Sequence, residues 1–416
     1  MAKSWCPRLS DLKKKMDASL HGKRILIYSH DSFGLGHLRR CRTIAHALVD
    51  RFAGLRVLIV SGSPIIGSFD FKSRVDFVRI PGVVKLRGGD YTSLSDHIDL
   101  SQTLRLRSSI LDQTAKTFSP DLFLVDKEPL GLKGEVTHTL KRLRDAGAST
   151  VLGLRDILDD PVILRKEWDK RGTPRDLEKL YAELWVFGTA SMGNPLAELG
   201  VSRASFDRMV YTGYLRRSVP DIAKAPVSLP EDPFLLVTPG GGGDGETLVD
   251  WVLSALEQKP RPSKSVVIVM GPFMAQAVRH RFQRRAAVLA DVQMITFNAN
   301  MEILMDRADG IVAMGGYNTF CEILSFNKRA LLIPRSTPRM EQTLRAHRAT
   351  SLGLVSMLNG DGDRSPDAMA KALIHLERQS LPSDHGADQF LDGLEVICNR
   401  VKALITPSEE VQQGIG

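Results

Sequence analysis

Along this chain, short apolar runs rich in β-branched residues alternate with stretches whose apolar residues recur every three or four positions. In the first half the runs at 24–29, 56–61, 75–80, 121–126, 150–154, 184–187 and 210–212 predict strands. Helical periodicity fills 38–51, 100–117 and 133–146. The pattern then lapses over 215–232, where Pro220, Pro226 and Pro230 predict a linker. It restarts with strands at 234–238, 265–270, 292–296, 310–314 and 330–334, and helices at 246–258, 274–290, 319–326 and 341–351. A last helix is expected over 387–404.

Alternating strands and helices imply parallel sheets covered by helices. Each half opens the same way, with a strand, a glycine-rich turn and a helix. The expected fold is therefore α/β, with two Rossmann-like domains facing across a cleft. The boundaries read as an extension at 1–21, a first domain at 22–214, the linker at 215–232, a second domain at 233–385, and a C-terminal helix and tail at 386–416. The helix at 387–404 is expected to pack back across the linker. Ligands in such sheets bind beyond the carboxyl ends of the strands, where both glycine turns lie.

Composition narrows the class. A length of 416 residues suits two domains of about 200 each. Hydrophobic residues make up 43% and charged residues 25%, a globular profile. No apolar run approaches the roughly 20 residues that span a bilayer, and the first 20 residues lack a signal-peptide pattern. Cys6, Cys41, Cys321 and Cys398 have neither metal nor disulfide spacing, so a reducing cytoplasm is expected. The net charge of +8 favours anionic partners such as nucleotides or acidic lipids. Arginines cluster at 39, 40 and 42 and again at 279, 281, 284 and 285, without zinc-finger, RNP or zipper patterns, so no nucleic acid is expected. Trp5, Leu9, Leu12, Met16 and Leu20 recur at helical spacing among Lys13, Lys14 and Lys15. This is either a helix docked on its own domain or one lying at the inner face of a membrane.

Three segments carry candidate chemistry. Gly240, Gly241, Gly242 and Gly243 lie between a strand and a helix, where backbone N–H groups can approach an anion. The spacing mimics a Walker loop, but Glu246 stands at the lysine position and would repel phosphates, which excludes an ATPase. The N-terminal turn has Gly34 and Gly36 but no third glycine, and the next strand ends at Ser61 rather than an acid, which argues against a dinucleotide. His37 opens the following helix, whose positive end favours a neutral imidazole. His30, Asp31 and His37 lack a third-ligand pattern, so neither metal nor cofactor is expected. In the third segment Gly315, Gly316, Asn318 and Thr319 start a short helix able to bind phosphate, with Glu322 one turn on from Asn318 and placed for a diol. Arg339, Glu341 and Gln342 enter the next helix and suit sugar hydroxyls.

This third segment resembles the donor site of family 28 glycosyltransferases of the GT-B superfamily, a family that includes the N-acetylglucosaminyltransferase of the peptidoglycan precursor. The resemblance rests on Gly315, Gly316, Asn318, Thr319, Glu322, Pro334, Glu341 and Gln342. The loops at Gly240–Gly243 and at Gly34, Gly36 and His37 are similar to the family's other glycine loops. It implies a GT-B fold in which the first domain receives the acceptor and the second holds a nucleotide-sugar donor. It implies transfer of a sugar, UDP-linked, to an acceptor hydroxyl, with inversion and without a metal. His37 would be the general base, with Asp126 as the alternative base or an acceptor-orienting group. Gly34, Gly36 and Arg40 would line the acceptor side. The acceptor is unidentified, with lipid-linked and polysaccharide acceptors both in view. The Gly-x-Gly-His-x-x-Arg form is also similar to UDP-sugar hydrolases of nonulosonic acid pathways, in which histidine activates water. A nucleotide-sugar 2-epimerase and a non-catalytic binder share the fold and stay open.

Overall fold

The computed structural model describes residues 16–406 except 31–35, 86–90, 95–96, 221–228 and the single positions 242, 299 and 363. In chain order the first half runs β1 (Arg24–Ser29), α1 (Gly36–Arg51), β2 (Arg56–Ser61), β3 (Val75–Arg79), β4 (Val83–Lys85), β5 (Tyr91–Ser93) and α2 (Leu100–Phe118). It continues through β6 (Leu122–Asp126), α3 (Thr137–Asp145), β7 (Ser149–Arg155), α4 (Pro161–Arg171), α5 (Thr173–Leu180), β8 (Glu183–Phe187), α6 (Arg203–Asp207) and β9 (Met209–Tyr211). The second half begins β10 (Phe234–Thr238), α7 (Glu246–Leu256), β11 (Ser265–Val269), α8 (Gln276–Ala286), β12 (Val292–Ile295) and α9 (Met301–Arg307). It ends β13 (Gly310–Ala313), α10 (Tyr317–Ser325), β14 (Arg329–Leu332), α11 (Glu341–Ser351), β15 (Ser356–Met357), α12 (Pro366–Leu376) and α13 (Gly393–Ile405).

The strands form two main sheets, seven-stranded in the order β3-β2-β1-β6-β7-β8-β9 and six-stranded in the order β12-β11-β10-β13-β14-β15. All their pairings are parallel; Ile25 lies beside Val57 and Leu122, and Val237 beside Ile268 and Val312. Every residue of β6, β8 and β10 is buried, and these strands are apolar except at their ends, at Asp126, Glu183 and Thr238. In each sheet the order reverses beside the first strand, so β1/β6 and β10/β13 open the crevices that a doubly wound sheet offers a ligand.

The strand readings agree with these elements to within a residue or two. The third helix starts at Thr137 instead of 133, because Lys133 and Gly134 take positive φ and cannot join a right-handed helix. The sequence pattern does not predict β15, the β4–β5 hairpin, or α4, α5, α6, α9 and α12. In α4 the apolar Val162 and Ile163 stay exposed in the first turn, so no clean apolar stripe exists to read. Its start signal is local: the Asp160 side chain caps the Ile163 N–H, with Pro161 at the first helical position.

The segment expected as a linker is packed where it is described. Leu215 is buried, and Arg217 donates its N–H to Ser325 Oγ and its side chain to Asn318 Oδ1 at 2.9 Å each. The last helix, α13, crosses back and packs on α1 and β6 of the first half. The Tyr214 N–H donates to Phe390 O at 2.6 Å, and the Gly393 N–H donates to Tyr214 O at 3.2 Å. A Cβ on Gly393 would sit 2.6 Å from Gly213 O, so the close approach needs glycine.

The two halves meet through charge and aromatic contacts. Arg345 of α11 donates to both Asp156 oxygens at 2.9 and 2.7 Å, with neither side chain exposed. Tyr214 donates to the same carboxylate at 2.8 Å and packs edge-on against Phe320. Asp156→Ala would leave the Arg345 guanidinium buried without a counter-charge, which destabilises by about 3–5 kcal/mol. We expect a clear fall in the urea midpoint at neutral pH; an unchanged midpoint would show that the pair does not hold the halves together.

Candidate functional site

The first half contributes a buried dyad. Asp126 ends β6, and His37 and Arg40 lie one turn apart on α1, on the same face. His37 Nδ1 is 2.5 Å from Asp126 Oδ2, and Arg40 donates Nε to Oδ1 and Nη2 to Oδ2 at 2.7 Å each. Arg40 cannot accept a proton, so Nδ1–H points to the carboxylate and Nε2 is the basic nitrogen. Burial opposes the Asp126 charge, but Arg40 and His37 outweigh it and hold the carboxyl well below the usual range. Burial also pushes His37 below its ordinary value, with Arg40 and Lys127 adding to the fall against Asp126. The imidazole is therefore neutral near pH 7, while 22% of its side chain stays exposed.

Around the dyad the chain is strained and charged. Lys127, directly after Asp126, takes φ 68, a conformation that non-glycine residues adopt at a cost. His30 stands edge-on to His37 with ring centroids 5.8 Å apart, and burial drives its pKa to about 3. Burial would raise Glu128, yet Lys127, His30 and Arg171 bring it down to about 2.

Two first-half candidates are engaged with each other. Arg40, expected on the acceptor side, is 2% exposed; its Nε and Nη2 are held by Asp126, and Nη2 also lies 3.0 Å from His37 Nδ1. Asp126, expected as the alternative base or an acceptor-orienting group, has both oxygens bound and is also 2% exposed. Gly36 faces the second half, its carbonyl accepting from Asn318 Nδ2 at 3.0 Å. Gly34 lies outside the described residues, as does Gly242.

In the second half, Gly240, Gly241 and Gly243 are exposed beyond β10, and Gly240 takes φ 74. Beneath them runs a turn the sequence reading did not single out. A Cβ on Gly271 would fall 2.5 Å from Gly240 O, and the Phe273 N–H donates to Gly241 O at 3.0 Å. Gly315 has φ 78 and leads through Gly316 into α10, so free N–H groups of the first turn point outward. Thr319 lies half-buried in that turn. The Asn318 side chain bridges Arg217 and Gly36.

Glu322, expected to meet a diol, is paired across the interface. It is 1% exposed, and Arg39 of the first half donates Nη2 to its carboxylate at 2.5 Å while reaching Glu302 at 2.7 Å. Glu341 and Gln342 are buried at the start of α11, both turned to Arg335: Glu341 Oε1 accepts from Nη2 at 3.0 Å and Gln342 Oε1 from the backbone N–H at 3.3 Å. Arg335 also pairs with Asp244 at 2.6 Å, tying the glycine loop to α11. Arg339 turns to Asp159 of the first half at 2.6 Å. Arg39 belongs to a cluster visible in the sequence, but its two acidic partners lie more than 260 positions away. Arg335 follows the proline of the donor pattern, the one local signal that could have marked it.

Among the described residues no group of three His, Cys, Asp or Glu is placed to hold a metal ion. No helix among them is long and apolar enough to cross a membrane.

Comparison with known proteins fits this geometry. Residues 234–392 match the glycosyltransferase family 28 C-terminal domain. Over the whole chain the structure is similar to the spinosyn forosaminyltransferase SpnP, with TM-score 0.61, 16% identity, and coverage of 92% of this chain and 99% of that one. It is similar to MurG of Acinetobacter baumannii, with TM-score 0.59, 14% identity and coverage of 92% and 99%. It is also similar to Phytolacca americana UGT2 complexed with UDP-2-fluoroglucose and pterostilbene, with TM-score 0.59, 14% identity and coverage of 93% and 96%. No curated protein sequence matches the chain. The fold is the two-domain GT-B architecture of glycosyltransferases. Within that fold, residues 234–392 form a domain of the glycosyltransferase family 28 C-terminal type.

His30 makes acid sensitivity predictable. Its folded pKa of about 3 lies below the ordinary value, so the unfolded chain takes up a proton that the folded one refuses. Its stabilising contribution is complete above about pH 6.5 and is lost as pH falls from there toward 3. The melting temperature should drop between neutral and acidic pH, and His30→Gln should flatten that drop. Equal slopes for both proteins would refute this role of His30.

Proposed function

We propose that the enzyme transfers a sugar from a nucleotide diphosphate donor, UDP-linked, to an acceptor hydroxyl, with inversion and without a metal ion. The observation that carries this reading is the neutral, Asp126-oriented His37 on the half that faces the family 28 domain. Nε2 takes the acceptor proton while the acceptor oxygen attacks the anomeric carbon. The bond from that carbon to the diphosphate breaks, and its electron pair leaves on the phosphate oxygen. Backbone N–H groups at Gly240–Gly243 and at the start of α10 stabilise that charge, which removes the need for a metal. Glu322 receives the ribose diol as the donor displaces Arg39. Glu341 and Gln342 meet the sugar. Asp126 holds the His37 tautomer and balances the imidazolium that forms. The net charge of +8 suits an acceptor, lipid-linked or polysaccharide, presented at an acidic surface.

The test combines donor, acceptor and variant. A thermal-shift screen of UDP-, GDP-, dTDP- and CMP-sugars identifies the donor, and product analysis with and without acceptors separates transfer from hydrolysis. Proton NMR of the product reads the anomeric outcome. His37→Ala should lower turnover by about 10²–10⁴-fold with donor affinity and melting temperature nearly unchanged, and wild-type activity should survive excess EDTA. Near-normal turnover in the variant removes His37 from the chemistry. Sugar release at the same rate without any acceptor makes the enzyme a hydrolase, and activity restored only by magnesium or manganese overturns the metal-free step.

A further inference from the structure

Five arginines between the two halves each hold a carboxylate. Arg39 is paired with Glu322, Arg40 with Asp126, Arg335 with Glu341, Arg339 with Asp159 and Arg345 with Asp156. Arg217 has no carboxylate but gives its terminal nitrogens to Thr43 and Asn318. Arg155 is different. It ends β7, half-buried, and none of its nitrogens has a hydrogen-bond partner among the described residues; its Nε is wholly shielded from solvent.

The surroundings make this arrangement costly. Arg155 lies within electrostatic reach of Arg40 on its own half, and of Arg345 and Glu341 on the other. Burial and the two like charges work against its charge, and two carboxylates oppose them only in part: Asp156 is engaged by Arg345, and one oxygen of Glu341 is held by Arg335 while the other has no hydrogen-bond partner. A guanidinium Nε shielded from water without a hydrogen bond is unfavourable unless a ligand supplies the missing acceptor. The place fits an anion on the donor. Arg155 is followed in the chain by Asp156, whose partner Arg345 donates to Gly315 O at 3.1 Å, so the end of β7 is tied to the glycine turn whose helix N-terminus already favours phosphate. It also stands at the carboxyl edge of the first sheet, two residues past Gly153, the register partner of Asp126.

We propose that Arg155 is the cation of the first half that binds the donor's diphosphate and stabilises it as leaving group. The proposal rests on the reading of the site as a nucleotide-sugar site. As the bond to the sugar breaks, the electron pair moves to the terminal phosphate oxygen, and Arg155 donates N–H to that oxygen with no proton transferred. The glycine turns grip the diphosphate from the second half, and Arg155 closes on it from the first.

Calorimetric titration of wild type, Arg155→Gln and Arg155→Lys with UDP and with UMP tests this, together with melting curves in the absence of ligand. Wild type should bind UDP more tightly than UMP. Arg155→Gln should lose about 10- to 100-fold in UDP affinity, with UMP affinity within about twofold, and Arg155→Lys should recover part of the loss. Without ligand, Arg155→Gln should melt no lower than wild type, because it removes a shielded Nε that has no hydrogen-bond partner. Equal losses for UDP and UMP, an unchanged UDP affinity, or both variants melting well below wild type would overturn the assignment. Wild type binding neither nucleotide would instead remove the UDP reading on which it rests.

Discussion

A guanidinium that water cannot reach must keep its counter-charge beside it. Arg345 belongs to the second half and Asp156 to the first, so their pairing fixes which edges of the two sheets face each other. Asp156 follows the last residue of β7, and Arg345 reaches the carbonyl of Gly315 from the same guanidinium. One buried pair therefore brings the carboxyl edge of the first sheet against the glycine turn of the second. Asp126 and Arg155 both stand at that carboxyl edge, as the last residues of β6 and β7.

Asp126 imposes a similar logic on a smaller scale. A carboxylate buried to this degree keeps its charge only because Arg40 grips both oxygens, and that grip fixes the acceptor geometry that His37 meets. The arginine supplies the electrostatic balance, and the histidine is left neutral with one nitrogen committed and one available. Arg40 thereby acts at a distance from any substrate, as a positioning residue for the imidazole.

Much of this was legible in the sequence, for a physical reason. Strands buried on both faces must be apolar throughout, so β1, β2 and β10 stand out as runs with matching boundaries. Glycines at turns that demand positive φ, such as Gly240 and Gly315, also mark themselves. What was not legible depends on contacts between distant residues. Glu322 looks like an open helix-face carboxylate until α1 is known to lie against α10 and deliver Arg39. Asp126 reads as a second candidate base until β6 and α1 are neighbours in space. Arg155 looks like an ordinary strand-end residue, because the lack of a partner is a property of the assembled crevice. Helix α4 escaped the periodic reading because its first-turn apolar residues face solvent.

The way the chain passes between the halves has its own mechanical consequence. It leaves the first half past Tyr214 and returns by Gly393, and these two passages are hydrogen-bonded to each other with glycine-tight spacing. Two tethers fastened together at one spot behave as an axle. Sliding or pulling the halves apart would break both bonds at once, whereas turning about that spot leaves them intact. Turning about that spot is resisted instead by the pairs that cross between the halves, Arg345 with Asp156 and Arg39 with Glu322.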